Sequence, residues 1–286
     1  MARKFEFFGS YTSFQGLFDL YPNATLGFSL RKLSVNYNGN CIRVRRSSDN
    51  ATLDVGFVNN VLDTATLLSF VGAGSGFVTI WYNQATSNNA TQTVAIYQPR
   101  IVNGGTLETK NGKPSIYFNN NYLELSQNPN LTLTRYLYNY AVANFDVNDL
   151  QTRTIVSKNF TASGNSRYSL LKINQQINSF FSGNNGENLI STPIVNTNQK
   201  LFTMAIDTLQ FNKITNNTVT NTLNTNTLLT NQNPVTYKIG CNTSFDLVTP
   251  VLFHLGHIHE NIGYYNNQLS NDTNIKSNIN GYYGMY

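Results

Sequence analysis

The chain has 286 residues, carries charged side chains at only 12% of positions and has a formal net charge of +5. About one residue in six is asparagine, yet 40% of the chain is hydrophobic and 13% aromatic, enough apolar surface to build a core and to exclude an unfolded polar linker. The positive excess is spread thinly with no basic run, which argues against a nucleic-acid tract, and no apolar stretch is long enough to cross a membrane as a helix.

Residues 1–20 are rich in aromatics, among them Phe5, Phe7, Phe8, Phe14 and Phe18. They read either as a first strand or as a docking arm whose apolar side chains bury against a neighbouring subunit. The segment lacks an uninterrupted apolar run, so it is not expected to be a secretion signal, and the chain is expected to fold in a cytoplasm. Residues 21–286 are expected to form one compact domain, because no linker or internal repeat divides them.

Leu26, Leu30 and Leu33 have helical spacing and predict a short helix. In "CIRVRR", Ile42 and Val44 alternate with Arg43 and Arg45, the pattern of a half-buried strand. Residues 62–74 predict a helix capped by Asp63 or Thr64 and stopped by Gly72 or Gly74. Strands follow at 76–82, 98–102, 107–109 and 115–119, with "NGGT" and "NGKP" as turns. From residue 135 onward, short β-branched and aromatic runs separated by polar breakers predict a sandwich. The Asn/Thr-rich segment 213–234 reads as a long surface loop or hairpin. A last helix is expected to begin after Ser270 or Asn271 and to end at Gly281.

Signals for catalysis are weak. Cys41 and Cys241 stand 200 residues apart without metal-ligand spacing and read as two unpaired thiols. Glycoside hydrolysis needs two carboxyl groups flanking the bond, and the chain offers five Glu and nine Asp. Glu260, beside His257 and His259 in "HLGHIHE", is the best lone acid, but it lacks a partner. His257 and His259 share a strand face, from which Glu260 points away, and two ligands do not make a metal site. "GAGSG" leads into a strand, so it is no phosphate cradle. Trp81 sits on an apolar strand and reads as core before it reads as a sugar platform. No cofactor or metal is expected.

The runs "FSLRKLSVNYNGNCIRVRRSSDNATLDVGF", "LDTATLLSFVGAGSGFVTIWYNQATSNNATQ" and "QPRIVNGGTLETKNGKPSIYFN" resemble a domain found in bacteriophage virion and tail proteins. They are also similar to the N-terminal part of the catalytic domain of arabinofuranosidase B. The ending "GHIHENIGYYNNQLSNDTNIKSNINGYYGMY" resembles the last strand and helix of the same phage domains. The resemblance implies an all-β, concanavalin A-like (LamG-like) jelly-roll sandwich with one or two short helices. It departs at Asn83, where the phage pattern has an aspartate, and no catalytic carboxylate of the arabinofuranosidases matches a position here. The asparagine-rich composition is also what the AT-rich genomes of crAss-like phages encode.

The resemblance implies a virion structural protein without enzymatic activity, serving as capsid decoration or as part of a head or tail fibre. Its partners would be other virion proteins and further copies of itself, a trimer being the usual fibre assembly; neither nucleic acid nor membrane is expected. Two alternatives are a tail lectin recognising host surface glycans and a depolymerase of arabinofuranosidase type. In the phage reading, Arg43, Arg45 and Arg46 form a structural framework with Asp49, Asp54 or Asp63 through charge-assisted hydrogen bonds. Loss of Arg45 is then expected to destabilise the domain.

Overall fold

The computed structural model describes residues 14–126, 128–147, 149–158, 167–183, 186–194, 196–226, 236–243 and 249–286. The alternating apolar residues build two antiparallel sheets. In the first, the order is Val219–Asn224, Phe211–Asn216, Lys200–Asp207, Tyr136–Ala143 and Leu255–Tyr264. The far side of Leu255–Tyr264 is shared end to end by Leu26–Ser29 and Ile116–Asn119. The second sheet runs Gly186–Pro193, Gln176–Gly183, Arg167–Ile173, Arg153–Lys158, Tyr237–Ile239 and Leu123–Leu125. It continues through Ala90–Thr91, Gly76–Trp81, Ile42–Arg46 and Thr52–Val55. Arg100–Asn103 joins the layers by pairing with both Gly76–Trp81 and Ile116–Asn119. This is the all-β jelly-roll sandwich that the sequence predicts.

The inner faces meet in one core that includes Phe28, Val44, Trp81, Phe118, Leu137, Phe202 and Tyr237. Within it, Asn139, Tyr237 and Asn261 close a ring of three hydrogen bonds. Asn139 Nδ2 donates to Tyr237 Oη (3.1 Å), which donates to Asn261 Oδ1 (2.7 Å), and Asn261 Nδ2 returns to Asn139 Oδ1 (2.9 Å). The ring ties the two sheets at one register, because a slip would leave buried amides unpaired. Cys41 and Cys241 are buried unpaired thiols.

The outer face of the first sheet is also apolar. Tyr138, Tyr140, Val142, Ile262 and Tyr264 are covered by helix α3 (Asp272–Tyr283), whose Ile275, Ile279 and Tyr283 form one stripe, and by Leu17 of α1 (Leu17–Leu20).

Several expectations are corrected. Leu26 belongs to a strand, not a helix: Leu26, Phe28 and Leu30 alternate into the core, and Leu33 lies in the opposite cluster. Helix α3 passes through Gly281, which faces solvent, because Tyr283 is held in the apolar stripe; the stop is Gly284 at φ 62°. Phe18 does not lie on a free arm. Its ring stands edge-on to Tyr264 and over Gly27, where an added Cβ would come within 2.6 Å of it. Leu17 is fully buried, so the packed domain starts before residue 20, while Phe14 is exposed. Phe5, Phe7 and Phe8 lie outside the described residues. The Asn/Thr-rich segment begins as the hairpin Phe211–Asn216/Val219–Asn224, and residues 227–235 of it lie outside the described residues.

Outside glycine, asparagine supplies most of the positions that need a left-handed backbone. Of the ten non-glycine residues with positive φ among those described, eight are asparagine, whose short amide tolerates the left-handed conformation.

Candidate functional site

The charged face grows from the Ile42–Arg46/Thr52–Val55 hairpin. Its register sets Arg43 opposite Asp54, and the guanidinium donates through Nε (2.8 Å) and Nη2 (2.7 Å) to the two carboxylate oxygens. Tyr82 Oη donates to the same carboxylate at 2.7 Å. Arg46 forms a second two-pronged pair with Asp49 in the turn (2.8 and 2.7 Å) and lies over the Phe70 ring. Hydrogen bonds from Arg43 hold the Asp54 carboxyl below its usual range, and those from Arg46 do the same for Asp49.

Two residues of the expected framework behave differently. Arg45 stands opposite Thr52, with no acid across the strand. It donates instead to the amide oxygens of Gln98 (2.7 Å) and Asn50 (2.8 Å) and stacks on Phe77. Asp63 pairs with none of these three arginines; it caps helix α2 (Thr64–Val71), accepting from the Thr66 backbone N–H at 3.0 Å.

Glu260 is positioned by a β-bulge. Val142 faces Glu260 while the next residue, Ala143, faces Ile258, so His259 is the extra residue. Ile258 points into the core, and unbroken alternation would send Glu260 there too. The bulge turns Glu260 to the outer face beneath α3, on the same side as His259. There Glu260 is fully buried and accepts from Arg31 Nε (2.8 Å), Arg31 Nη2 (3.1 Å) and Ser29 Oγ (2.6 Å), with Tyr283 Oη at 3.3 Å. Arg31 also donates to Asn278 Oδ1 and packs against the rings of Tyr282 and Tyr283. Sequence reasoning missed Arg31 altogether; a lone arginine in the apolar run 24–33 was the available signal.

The three histidines have separate fates. His254 lies in the core against Phe118 and Phe145, and burial pulls its pKa to about 3. His259 meets Pro114 O through Nδ1 (2.9 Å), and burial likewise takes it to about 3. His257 sits between Glu108 (3.5 Å to Nε2) and Asp146 (3.5 Å to Nδ1). Burial pulls it down, but these two carboxylates outweigh the burial and raise it. The acids lie on opposite sides of the ring, and no group of three His, Cys, Asp or Glu among the described residues could hold a metal ion.

Beside Tyr82 is an open hollow of about 400 Å³ lined by Tyr37, Asn83, Gln84, Thr86 and Asn89. Its polar groups are largely spent on the protein. Tyr37 Oη donates to Asn40 O. Asn83 Oδ1 accepts from the Gly27 and Ala85 N–H groups, while its Nδ2 donates to Thr25 O, Thr86 Oγ1 and Asn88 O. An aspartate could not donate these last bonds, so Asn83 fixes the 83–89 loop in its own way. Trp81 is in the core against Phe28, away from any surface.

Every carboxylate whose side chain is described is engaged. Beyond those above, Asp19 accepts from Gly16 N, Val35 N and Ser34 Oγ; Glu124 pairs with Lys238, Asp149 with Arg153, Asp207 with Arg135, and Asp272 with Lys276. Burial pushes Asp19 and Glu108 up, and the donors around them outweigh it, so that both end below their usual values. Asp146 is held at about 2 by His257.

No protein family matches the sequence, and no curated protein matches it. Among solved structures, an arabinofuranosidase complexed with arabinofuranosyl-α-1,2-xylobiose superposes with a TM-score of 0.65 at 13% identity, over 90% of this chain and 62% of that one. A GH54 α-L-arabinofuranosidase soaked with a cyclic sulfate inhibitor gives 0.62 at 12% identity with the same coverage. The chain thus spans about 62% of the length of these enzymes. At such identity the likeness is one of fold: this chain has the β-sandwich that those arabinofuranosidases also carry.

Proposed function

We propose that this protein is a non-catalytic β-sandwich of a bacteriophage virion, built into the capsid surface or into a head or tail fibre. The observation that carries the non-catalytic reading is the state of its carboxylates. A glycosidase of the two-acid type needs one carboxyl kept protonated by a raised pKa and a second one free to attack or to activate water. Here the described acids are tied to cations, helix ends or backbone N–H groups, and each described acid whose pKa moves is held low. Glu260, the best acid by sequence, is locked by Arg31. The phage assignment rests on the sequence runs from Phe28 to Phe118. The segment bearing Phe5, Phe7 and Phe8 would dock on a neighbouring virion protein or another copy, each Å² of buried apolar surface contributing about 25 cal/mol.

Quantitative mass spectrometry of purified particles tests the reading. Hundreds of copies per particle are expected for decoration, a few to dozens for a fibre, and absence from particles overturns it. Incubation with host capsule, read by reducing ends, is expected to release no sugar; saturable release by the purified protein would overturn the non-catalytic reading.

A further inference from the structure

We propose that the hollow where the edges of the two sheets meet, bounded by Lys200, Thr192, Pro193, Asn217 and Val219, binds a small monocarboxylate with an apolar body, a short-chain or aromatic acid. This binding role goes beyond that of a building block and does not depend on it. The hollow has about 360 Å³, within the range of small-molecule sites, about 300–1,000 Å³. Its walls come from both layers. Thr192 and Pro193 end the outer strand of the second sheet, and Val219 opens the outer strand of the first. Asn216 Nδ2 donates to Pro193 O and Asn221 Nδ2 to Ser191 O, each at 2.6 Å, which fixes the two edges together. Asn217, at φ 54°, holds the intervening turn by accepting from Leu201 N–H through Oδ1 at 2.9 Å.

Lys200 supplies the signal. Strand alternation puts it on the inner face with Phe202 and Met204, so its side chain runs between the sheets. The residue is only 7% exposed, yet its ammonium has no hydrogen-bond or ion-pair partner among the described residues. Four lysines are buried among those described, and the other three are paired: Lys158 with Leu131 O, Lys172 with Asp149, and Lys238 with Glu124. A buried charge is almost never left without a partner. The amide of the neighbouring Gln199 is sealed within the protein, whereas the Lys200 ammonium is not, and Lys200 lines the hollow. Burial alone pulls that ammonium below the usual lysine range, with no carboxylate acting on it.

The walls define the ligand. What Lys200 lacks is one negative charge, and a ligand must bring it, because no acid among the described residues lines the hollow. A dianion such as inorganic phosphate would need further cations, and Lys200 is the one cation among the described residues there. Asn217 spends its Oδ1 on the backbone, and its Nδ2, without a partner among the described residues, is left to donate to a carboxylate oxygen. The Pro193 ring and Val219 offer apolar surface to the body of the acid. Val219 is 54% exposed, so a ligand that covers it takes apolar surface out of water.

The test is calorimetry and ligand-observed NMR on the full chain with butyrate and benzoate, with benzamide and inorganic phosphate as controls. At least one of the two acids is expected to bind saturably with a Kd of about 1 mM or tighter, and both controls roughly tenfold more weakly or worse. Bound acid is also expected to raise the Lys200 pKa, followed through its Cε resonance, because a carboxylate favours the charged ammonium. Lys200→Met and Val219→Asp are each expected to weaken binding roughly tenfold or more. Lys200→Met removes an unpaired buried charge, so its melting temperature is expected at or above that of the parent; should it fail to fold, Val219→Asp at the exposed wall carries the test. No saturable binding of either acid, benzamide or phosphate binding as tight as the acids, affinity unchanged in the folded variants, or a Lys200 pKa that bound acid leaves in place overturns the proposal.

Discussion

Arg43 and Arg46, on the hairpin face, keep 41% and 33% of their side chains exposed, whereas Arg31 beneath α3 keeps 9% and its partner Glu260 none. The contacts are chemically the same, two-pronged guanidinium–carboxylate pairs at 2.7–3.1 Å. Their surroundings set their weight. Water already solvates the hairpin charges, so an exposed pair such as Arg43–Asp54 contributes within about 1 kcal/mol. The buried pair has lost that water, and each partner depends on the other and on Ser29, Asn278 and Tyr283 to replace it. The density of charge in a sequence therefore marks the visible framework, while the depth of burial decides which framework matters.

Removing one member of the buried pair should give the largest effect. Glu260→Gln leaves the Arg31 charge buried without its counter-charge and is expected to lower stability by about 3–5 kcal/mol in urea unfolding. The double variant Arg31→Met/Glu260→Leu is expected to recover most of that loss, because an apolar pair has no desolvation to offset. A Glu260→Gln protein as stable as the parent would erase the contrast between the two regions.

Arg45→Ala comes next, and it separates charge from burial. Arg45 has no acid partner among the described residues, but it satisfies the oxygen of Gln98, a residue only 4% exposed. Stranding that buried acceptor is expected to lose about 1–3 kcal/mol. Arg43→Ala, which breaks an ion pair in the open, is expected to lose about 1 kcal/mol or less. If Arg43→Ala proved the more damaging of the two, charge pairing rather than burial would rank these contacts.

The parts of this architecture that were legible in the sequence are those governed by near neighbours. Ile42 and Val44 alternate with arginines and form the expected strand; Asp63 and Gly72 bound the expected helix; Asn111–Gly112 makes the expected turn. Leu26 misled because Leu26, Leu30 and Leu33 fit a helix as well as Leu26, Phe28 and Leu30 fit a strand, and only the Leu255–Tyr264 partner decides. The pair of Arg31 and Glu260 joins residues 229 positions apart. It also needs a bulge at His259, and an extra residue leaves no mark in a single sequence. The same holds for the Asn139–Tyr237–Asn261 ring and for Gln199: in a chain this rich in amides, composition does not say which ones are buried.

The smallest effect expected is in the pH dependence contributed by His257, and its sign sets it apart from the other two histidines. His257 has a folded pKa raised above its ordinary 6.5, because Asp146 and Glu108 outweigh its burial. Its contribution is therefore fully present below 6.5 and is lost as pH rises through the raised folded value. His254 and His259 are held near 3 by burial, so the unfolded chain takes up their protons first and stability falls as pH drops from 6.5 toward 3. Asp146, at about 2 in the fold, keeps its contribution above its ordinary 3.8 and loses it as pH falls through 2. The charged trio of His257, Asp146 and Glu108 thus works in the window above the carboxylate values and below the raised imidazole value. Thermal melts of the parent and His257→Gln from about pH 5 to about pH 9 should show the parent's advantage shrinking as pH rises, while the acid-side fall from His254 and His259 persists in both. A parent-minus-variant difference that stays flat across that range would mean His257 titrates alike in the folded and unfolded chain, with Asp146 and Glu108 doing no more than offset its burial, and the cluster would then belong with the weak pairs of the hairpin face.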